Sequence, residues 1–401
     1  MSYIQRGQPG YVRATLALFA GAFITFAILY TTQPIMPELS RQFHISPAMS
    51  SLSLSFATAA LAVSMLWVSG VSDQWGRKRL MAVSLFSSAA LSILVAVAPN
   101  YPTLLALRAV QGVVLAGFPS IAMAYVNEEF HPSSAGMAMG LYVSGTSIGG
   151  MAGRIITGMV TDLSSWRIAV FVIGIMSMVL ATWFWFNLPR PAHFSPQKMG
   201  LQALVSRLSH AARDRILLGI YTLGFLLMGS FVTMYNYISY LLMSPPYHLS
   251  QTLVGFIFVV YLTGTFSSTW MGRAADSIGK SKALRISVTI SIVGCLVTLF
   301  PSLLLKIVGL ALFTFGFFGG HAIASGWVGQ LAPSYRAQAS SLYLLFYYAG
   351  SSIVGSAGGL FWSAYGWLGV VTIITALLIV AYGMDWVVTR AIRKRDAGPS
   401  A

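Results

Sequence analysis

Twelve apolar segments, each long enough to cross a bilayer as a helix, make up most of this 401-residue chain. A hydrocarbon core about 30 Å thick needs roughly 20 helical residues. The segments run near 12–36, 47–72, 79–98, 101–126, 133–160 and 165–188, then 215–243, 250–274, 282–301, 303–330, 334–362 and 366–390. Breaks between them fall at Pro, Gly or charged clusters, as turn chemistry requires. Only 8% of residues are charged and 56% are hydrophobic, whereas soluble domains carry about 25% charge. In water such a chain would expose far too much apolar surface. The predicted fold is therefore all-α: a polytopic membrane protein of twelve transmembrane helices.

The N-terminal run, to about Met36, exceeds the roughly 7–15 apolar residues of a signal-peptide core, so it reads as a retained first membrane helix. Residues 189–214 are the longest polar stretch and divide the chain into halves, 1–188 and 215–401. Part of this linker, Leu201–Arg213, has amphipathic spacing suited to a membrane surface.

The net charge of +15 lies in short basic stretches between apolar runs. Nucleic-acid binders instead concentrate basic residues with interleaved aromatics. With both termini in the cytoplasm, 19 of the 24 Lys and Arg fall inside and only Arg41, Arg167 and Lys306 fall outside. That bias follows the positive-inside rule, and the reverse topology would invert it. The lone Cys295 cannot form an internal disulfide, and the six His show no metal-ligand spacing. Neither a Ser/His/Asp set nor a phosphate loop suggests an enzyme.

The two halves repeat each other. Asp73-Gln74-Trp75-Gly76-Arg77-Lys78-Arg79 is echoed 203 residues later by Asp276-Ser277-Ile278-Gly279-Lys280-Ser281-Lys282. Pro132-Ser133 matches Pro333-Ser334, and Gly140-Leu141-Tyr142 matches Ser341-Leu342-Tyr343. Parallel repeats about an axis along the membrane normal are one of the architectures of secondary transporters.

Three motifs then give the chain a resemblance to the major facilitator superfamily over nearly its full length. The duplicated loop resembles that family's G-x-x-x-D-x-x-G-R-K/R pattern, although Ser69 stands at the first glycine of the first copy. Arg108-Ala109-Val110-Gln111-Gly112 resembles its helix-4 motif. Gly136, Gly145, Gly149, Gly150 and Gly153 resemble its helix-5 antiporter motif, with Gly150 in place of a proline and Arg154 in place of the last glycine. Residues 145–154, 224–233 and 339–344 bring it closer to inner-membrane transport proteins of Gram-negative bacteria in the drug/proton antiporter-like group.

The resemblance implies a monomeric bacterial inner-membrane transporter, without cofactor, that uses the proton gradient to export a small molecule. Uptake of a small solute or organic anion by symport or uniport is the alternative, and a non-transporting sensor a remote one. Asp73, Gly76, Arg77 and Lys78, with Asp276, Gly279 and Lys280, would form gating loops. An arginine inside a membrane helix must face a cavity or a partner, so Arg108, Gln111 and Arg154 are candidates for substrate or proton coupling. Gly112, Gly145, Gly149, Gly150 and Gly153 would allow close helix packing. None of the nine acids falls clearly at the midplane. His321, in helix 10, titrates in a range suited to proton exchange, while a satisfied core histidine is the competing reading. Tyr30, Gln33, Tyr235, Asn236, Tyr237 and Trp327 are candidate cavity walls, and packing or lipid contact is the alternative for each.

Overall fold

The computed structural model describes residues 3–194 and 201–396. Within them the chain is helical, and its one β-bridge is an isolated contact between Ile4 and Phe130. The first half contains α1 (Pro9–Tyr30), α2 (Met36–Phe43), α3 (Pro47–Trp75), α4 (Arg77–Ala96), α5 (Tyr101–Leu115), α6 (Pro119–Glu129), α7 (Pro132–Leu163) and α8 (Trp166–Asn187). After the linker helix α9 (Leu201–Arg213) come α10 (Arg215–Met243), α11 (Gln251–Ile257), α12 (Tyr261–Ile278), α13 (Lys280–Val297), α14 (Leu303–Leu331) and α15 (Arg336–Asp396).

Among the described residues, nine helices or helix pairs are apolar and long enough to span a membrane. The last of these, α15, contains two passes, because Gly366 interrupts it with φ 59° and ψ −144°. Two further passes are less apolar. Helix α13 begins with Lys280, Lys282 and Arg285, and α7 is rich in glycine. Together these give twelve crossings.

Three predicted helices are interrupted. The first was expected to run unbroken to about residue 36, but α1 stops at Tyr30 and α2 starts at Met36. Pro34 lies in the gap; it has no N–H and disfavours helix at Gln33. The fourth divides at Ala116–Phe118, before Pro119. The eighth divides at a 3-10 turn over Phe258–Val260.

The chain forms two compact units. The first comprises residues 1–45, 52–199 and 248–258, and the second 46–51, 200–247 and 259–401. Short segments around residues 46–51 and 248–258 thus associate with the opposite half, which hydropathy could not indicate. In the first unit, glycines set the approach of α7 to α1. A Cβ on Gly145, Gly149 or Gly153 would lie 2.4–2.7 Å from backbone atoms of Phe19, Phe23 or Ala27. The matched four-residue spacing aligns one face of each helix, and small residues there permit contact at backbone distance. Gly112 brings α5 equally close to α3, since its Cβ would meet the Ala57 carbonyl oxygen at 2.1 Å. Gly350 repeats the arrangement in the second unit, against Phe225 at 2.1 Å.

Candidate functional site

The end of α1 leaves carbonyls without intrahelical partners, and Ile28 and Leu29 there are fully buried in the protein. Arg108, fully buried on α5, supplies donors. Its Nη1 donates to Ile28 O at 3.1 Å and its Nη2 to Leu29 O at 2.6 Å. Its Nε donates to Ser53 O on α3 at 2.8 Å. Gln111, one turn on, accepts from Arg108 through Oε1 and donates Nε2 to Ser88 O at 3.0 Å and Ser92 Oγ at 2.8 Å. The helix-4 motif therefore ties α1, α3, α4 and α5 together, and the guanidinium caps the negative end of α1.

The other side of the break meets α7. Gln33 lies in the gap, and its Oε1 accepts from Arg154 Nε at 2.8 Å. Arg154 Nη1 donates to Gly150 O at 2.6 Å. Its guanidinium carbon lies 4.1 Å from the Tyr30 ring centre and 4.8 Å from that of Phe258. Such cation–π contacts gain strength when desolvated, and Arg154 is 1% exposed. Thr31 Oγ1 and Thr157 Oγ1 share a hydrogen bond of 3.0 Å. Thr32 Oγ1, also buried in the break, has no hydrogen-bond partner. Tyr30, Gln33, Gly150 and Arg154 thus meet at one place, while Arg108 and Gln111 hold the neighbouring helix end.

The second-unit candidates do not join into an equivalent site. Tyr235 is fully buried, and its hydroxyl pairs with Thr314 Oγ1 on α14. Tyr237 donates its hydroxyl to Gly355 O at 2.8 Å, and Asn236 Nδ2 reaches the same carbonyl at 3.4 Å. These residues pack α10 against α14 and α15. His321 Nδ1 lies 2.9 Å from Tyr343 Oη, within a ring cluster that includes Phe317 and Tyr347. Trp327, another candidate cavity wall, lines a groove with residues of α13 and the end of α15.

The duplicated loops agree in conformation. Gly76 has φ 86° and ψ 142°, and Gly279 has φ 88° and ψ 146°. Side-chain-bearing residues rarely adopt such a φ, so each glycine makes possible the turn into the next helix. Arg77 pairs with Glu128 through Nη2 at 2.7 Å and Nε at 3.1 Å. Asp73, named as a gate residue, has a side chain outside the described residues.

Several acids that lacked a role in the sequence now have one. Glu128 is the partner of Arg77. Asp385 Oδ2 accepts from Ser281 Oγ at 2.6 Å and lies 3.1 Å from Arg285 Nε. Asp162, at the end of α7, accepts from the backbone N–H groups of Gln251 at 3.0 Å and Thr252 at 2.6 Å, capping α11 within the first unit. No spacing rule links positions 89 and 90 residues apart.

Comparison with known proteins places this architecture. A family profile for the Major Facilitator Superfamily matches residues 18–247 and 226–400. The chain is 48% identical to the uncharacterized MFS-type transporter YybF of Bacillus subtilis, covering 99% of this chain and 98% of that protein. It is 45% identical to the inner membrane transport protein YnfM of Escherichia coli K12, covering 94% and 91%. The chain belongs to the major facilitator superfamily, and the closer likeness expected from residues 145–154, 224–233 and 339–344 is met by YnfM. Among solved structures, a bacterial homolog of the human lysosomal transporter Spinster, inward-facing and unoccupied, superposes with a TM-score of 0.81 at 14% identity, covering 97% and 98%. The nucleoside transporter NupG gives 0.75 at 15% identity, covering 94% and 99%. These two likenesses show the fold. The protein is a multi-pass membrane protein of a transporter family.

Proposed function

We propose that this protein is a secondary transporter of the bacterial inner membrane, with both termini cytoplasmic, that exports a small molecule in exchange for protons by alternating access. The observation that carries the site assignment is the interrupted first helix, where Arg154 is held by Gln33 and the faces of Tyr30 and Phe258. Transporters commonly place substrate at discontinuous helices, whose broken ends offer polar backbone within the membrane. Side-chain ligands can be exchanged for groups on a cargo by rotation about χ angles. Backbone ligands of the kind that hold Arg108 cannot. The unpartnered Thr32 Oγ1 adds a hydrogen-bonding group at the same point. The helix-4 and helix-5 motifs support proton exchange, and His321 with Tyr343 is the titratable pair proposed to take part.

A second reading, uptake of an organic anion by symport or uniport, is favoured by one observation: the cations buried at the break are Arg108 and Arg154. The test uses purified protein in liposomes holding a trapped pH dye, with sugars, organic anions, hydrophobic cations and neutral antibiotics added against an imposed proton gradient. Proton release from acid-loaded vesicles that depends on one compound class supports antiport. Solute flux without proton movement contradicts it.

A further inference from the structure

Both repeat-related loops border an open groove with a basic wall. In the second unit the groove has a volume of about 860 Å³, and Lys280, Lys282, Arg285 and Arg393 line it. In the first unit its counterpart measures about 650 Å³, with Lys78, Arg79 and Arg190. Each lies where the start of the third helix of a repeat meets the end of the sixth.

Two features distinguish these grooves from ordinary solvated charge. First, cations share a wall with exposed apolar side chains. Phe186 is 78% exposed and Trp75 57% in the first groove, and Tyr382 is 42% exposed in the second. Aromatic residues beside cations mark the headgroup level of a bilayer. Lys78 and Arg190 are also close enough to repel one another, a repulsion that a bound anion relieves. Second, the feature is duplicated: the groove recurs at the repeat-related position of the other unit, with cations at the start of the third helix and beside the end of the sixth in both. Arg285, on the wall of the second groove, is already paired, its Nε 3.1 Å from Asp385 Oδ2. Two acids moderate the charge: Asp385, turned to Ser281 and Arg285, and Asp276, near Lys280. The four cations still outnumber them.

We infer that each groove binds the headgroup of an anionic glycerophospholipid of the phosphatidylglycerol type. Its phosphate sits among the cations, and its acyl chains lie along the exposed aromatic wall. A free phosphate would satisfy the cations but would leave the apolar wall unused. Basic pockets between membrane helices are a recognised mode of lipid selection.

The test reads binding alone, so it stands or falls independently of cargo and coupling. The full chain in detergent micelles is titrated with phosphatidylglycerol, and retained lipids are counted by native mass spectrometry. The wild type should retain two, in preference to phosphatidylcholine, and inorganic phosphate should not displace them. K280Q/K282Q/R393Q should retain one, with about a hundredfold weaker binding at the lost site, given the contribution of each basic residue to lipid attraction. K78Q/R79Q/R190Q should likewise retain one. An R6Q/R13Q/R41Q control, with equal charge removed elsewhere, should retain two. Equal retention in all variants, equal retention of phosphatidylcholine, or displacement by inorganic phosphate would each overturn the inference. Thermal melting of each variant separates lipid loss from unfolding.

Discussion

Two arginines buried in the first unit invite comparison, because the sequence offered them as equivalent candidates. Arg108 donates to backbone carbonyls of α1 and α3, and to Gln111. Arg154 binds a side-chain amide, one carbonyl of its own helix and two aromatic faces. Carbonyls fixed in helices hold a cation in one geometry, whereas glutamine and tyrosine side chains can turn away. The lesson is that an intramembrane charge takes its role from the kind of atom that holds it. We propose that Arg108 holds the break in the first helix and that Arg154 exchanges partners at it.

The largest effect should come from Arg108→Gln. It leaves the Leu29 carbonyl without a donor, at about 1–3 kcal/mol for a buried group left unsatisfied, and strips the second donor from the Ile28 and Ser53 carbonyls and the partner from Gln111 Oε1. Melting in detergent should show a loss of several degrees or outright aggregation, and an unchanged melting temperature would erase the distinction between the two arginines. Next is Gly112→Ala, which drives a methyl into the Ala57 carbonyl. Overpacking of this kind costs about 1–3 kcal/mol, and the melt should fall without any change in net charge. Gly76→Ala and Gly279→Ala each place a side chain at positive φ, for about 1–2 kcal/mol. Because the two turns match, their melting shifts should agree closely, and a large disparity would show that the loops differ in function. Arg154→Gln should move the melt least while abolishing transport. If it destabilises as much as Arg108→Gln, Arg154 is a second staple.

Much of this was legible in the sequence. Helix α10 covers the predicted 215–243, because Asp214 caps its first turn and Ser244 ends it before a proline pair. The repeated glycines announced the repeated turns, since few residues other than glycine adopt that backbone. Arg108 and Gln111, three apart, were expected on one helix face and are found bonded to each other. The break after Tyr30 falls at the short polar stretch Thr31-Thr32-Gln33-Pro34, which is concealed when hydropathy is averaged with the long apolar run before it. The pairing of Gln33 with Arg154 spans 121 residues and depends on how glycines seat α7 on α1. Periodicity within one helix carries no trace of such a pairing. The tyrosines of α10 were candidate cavity walls with packing as the alternative, and the hydroxyls of Tyr235 and Tyr237 pair with neighbouring helices.

The central claim, that Arg154 serves transport while Arg108 serves structure, is tested most directly by proton-coupled flux through Arg154→Gln in liposomes. The cargo is the compound class found with the wild type, and protein content and melting temperature are matched between samples. The account predicts that flux falls to the level of empty vesicles while the protein stays folded. Wild-type flux in folded Arg154→Gln would contradict it.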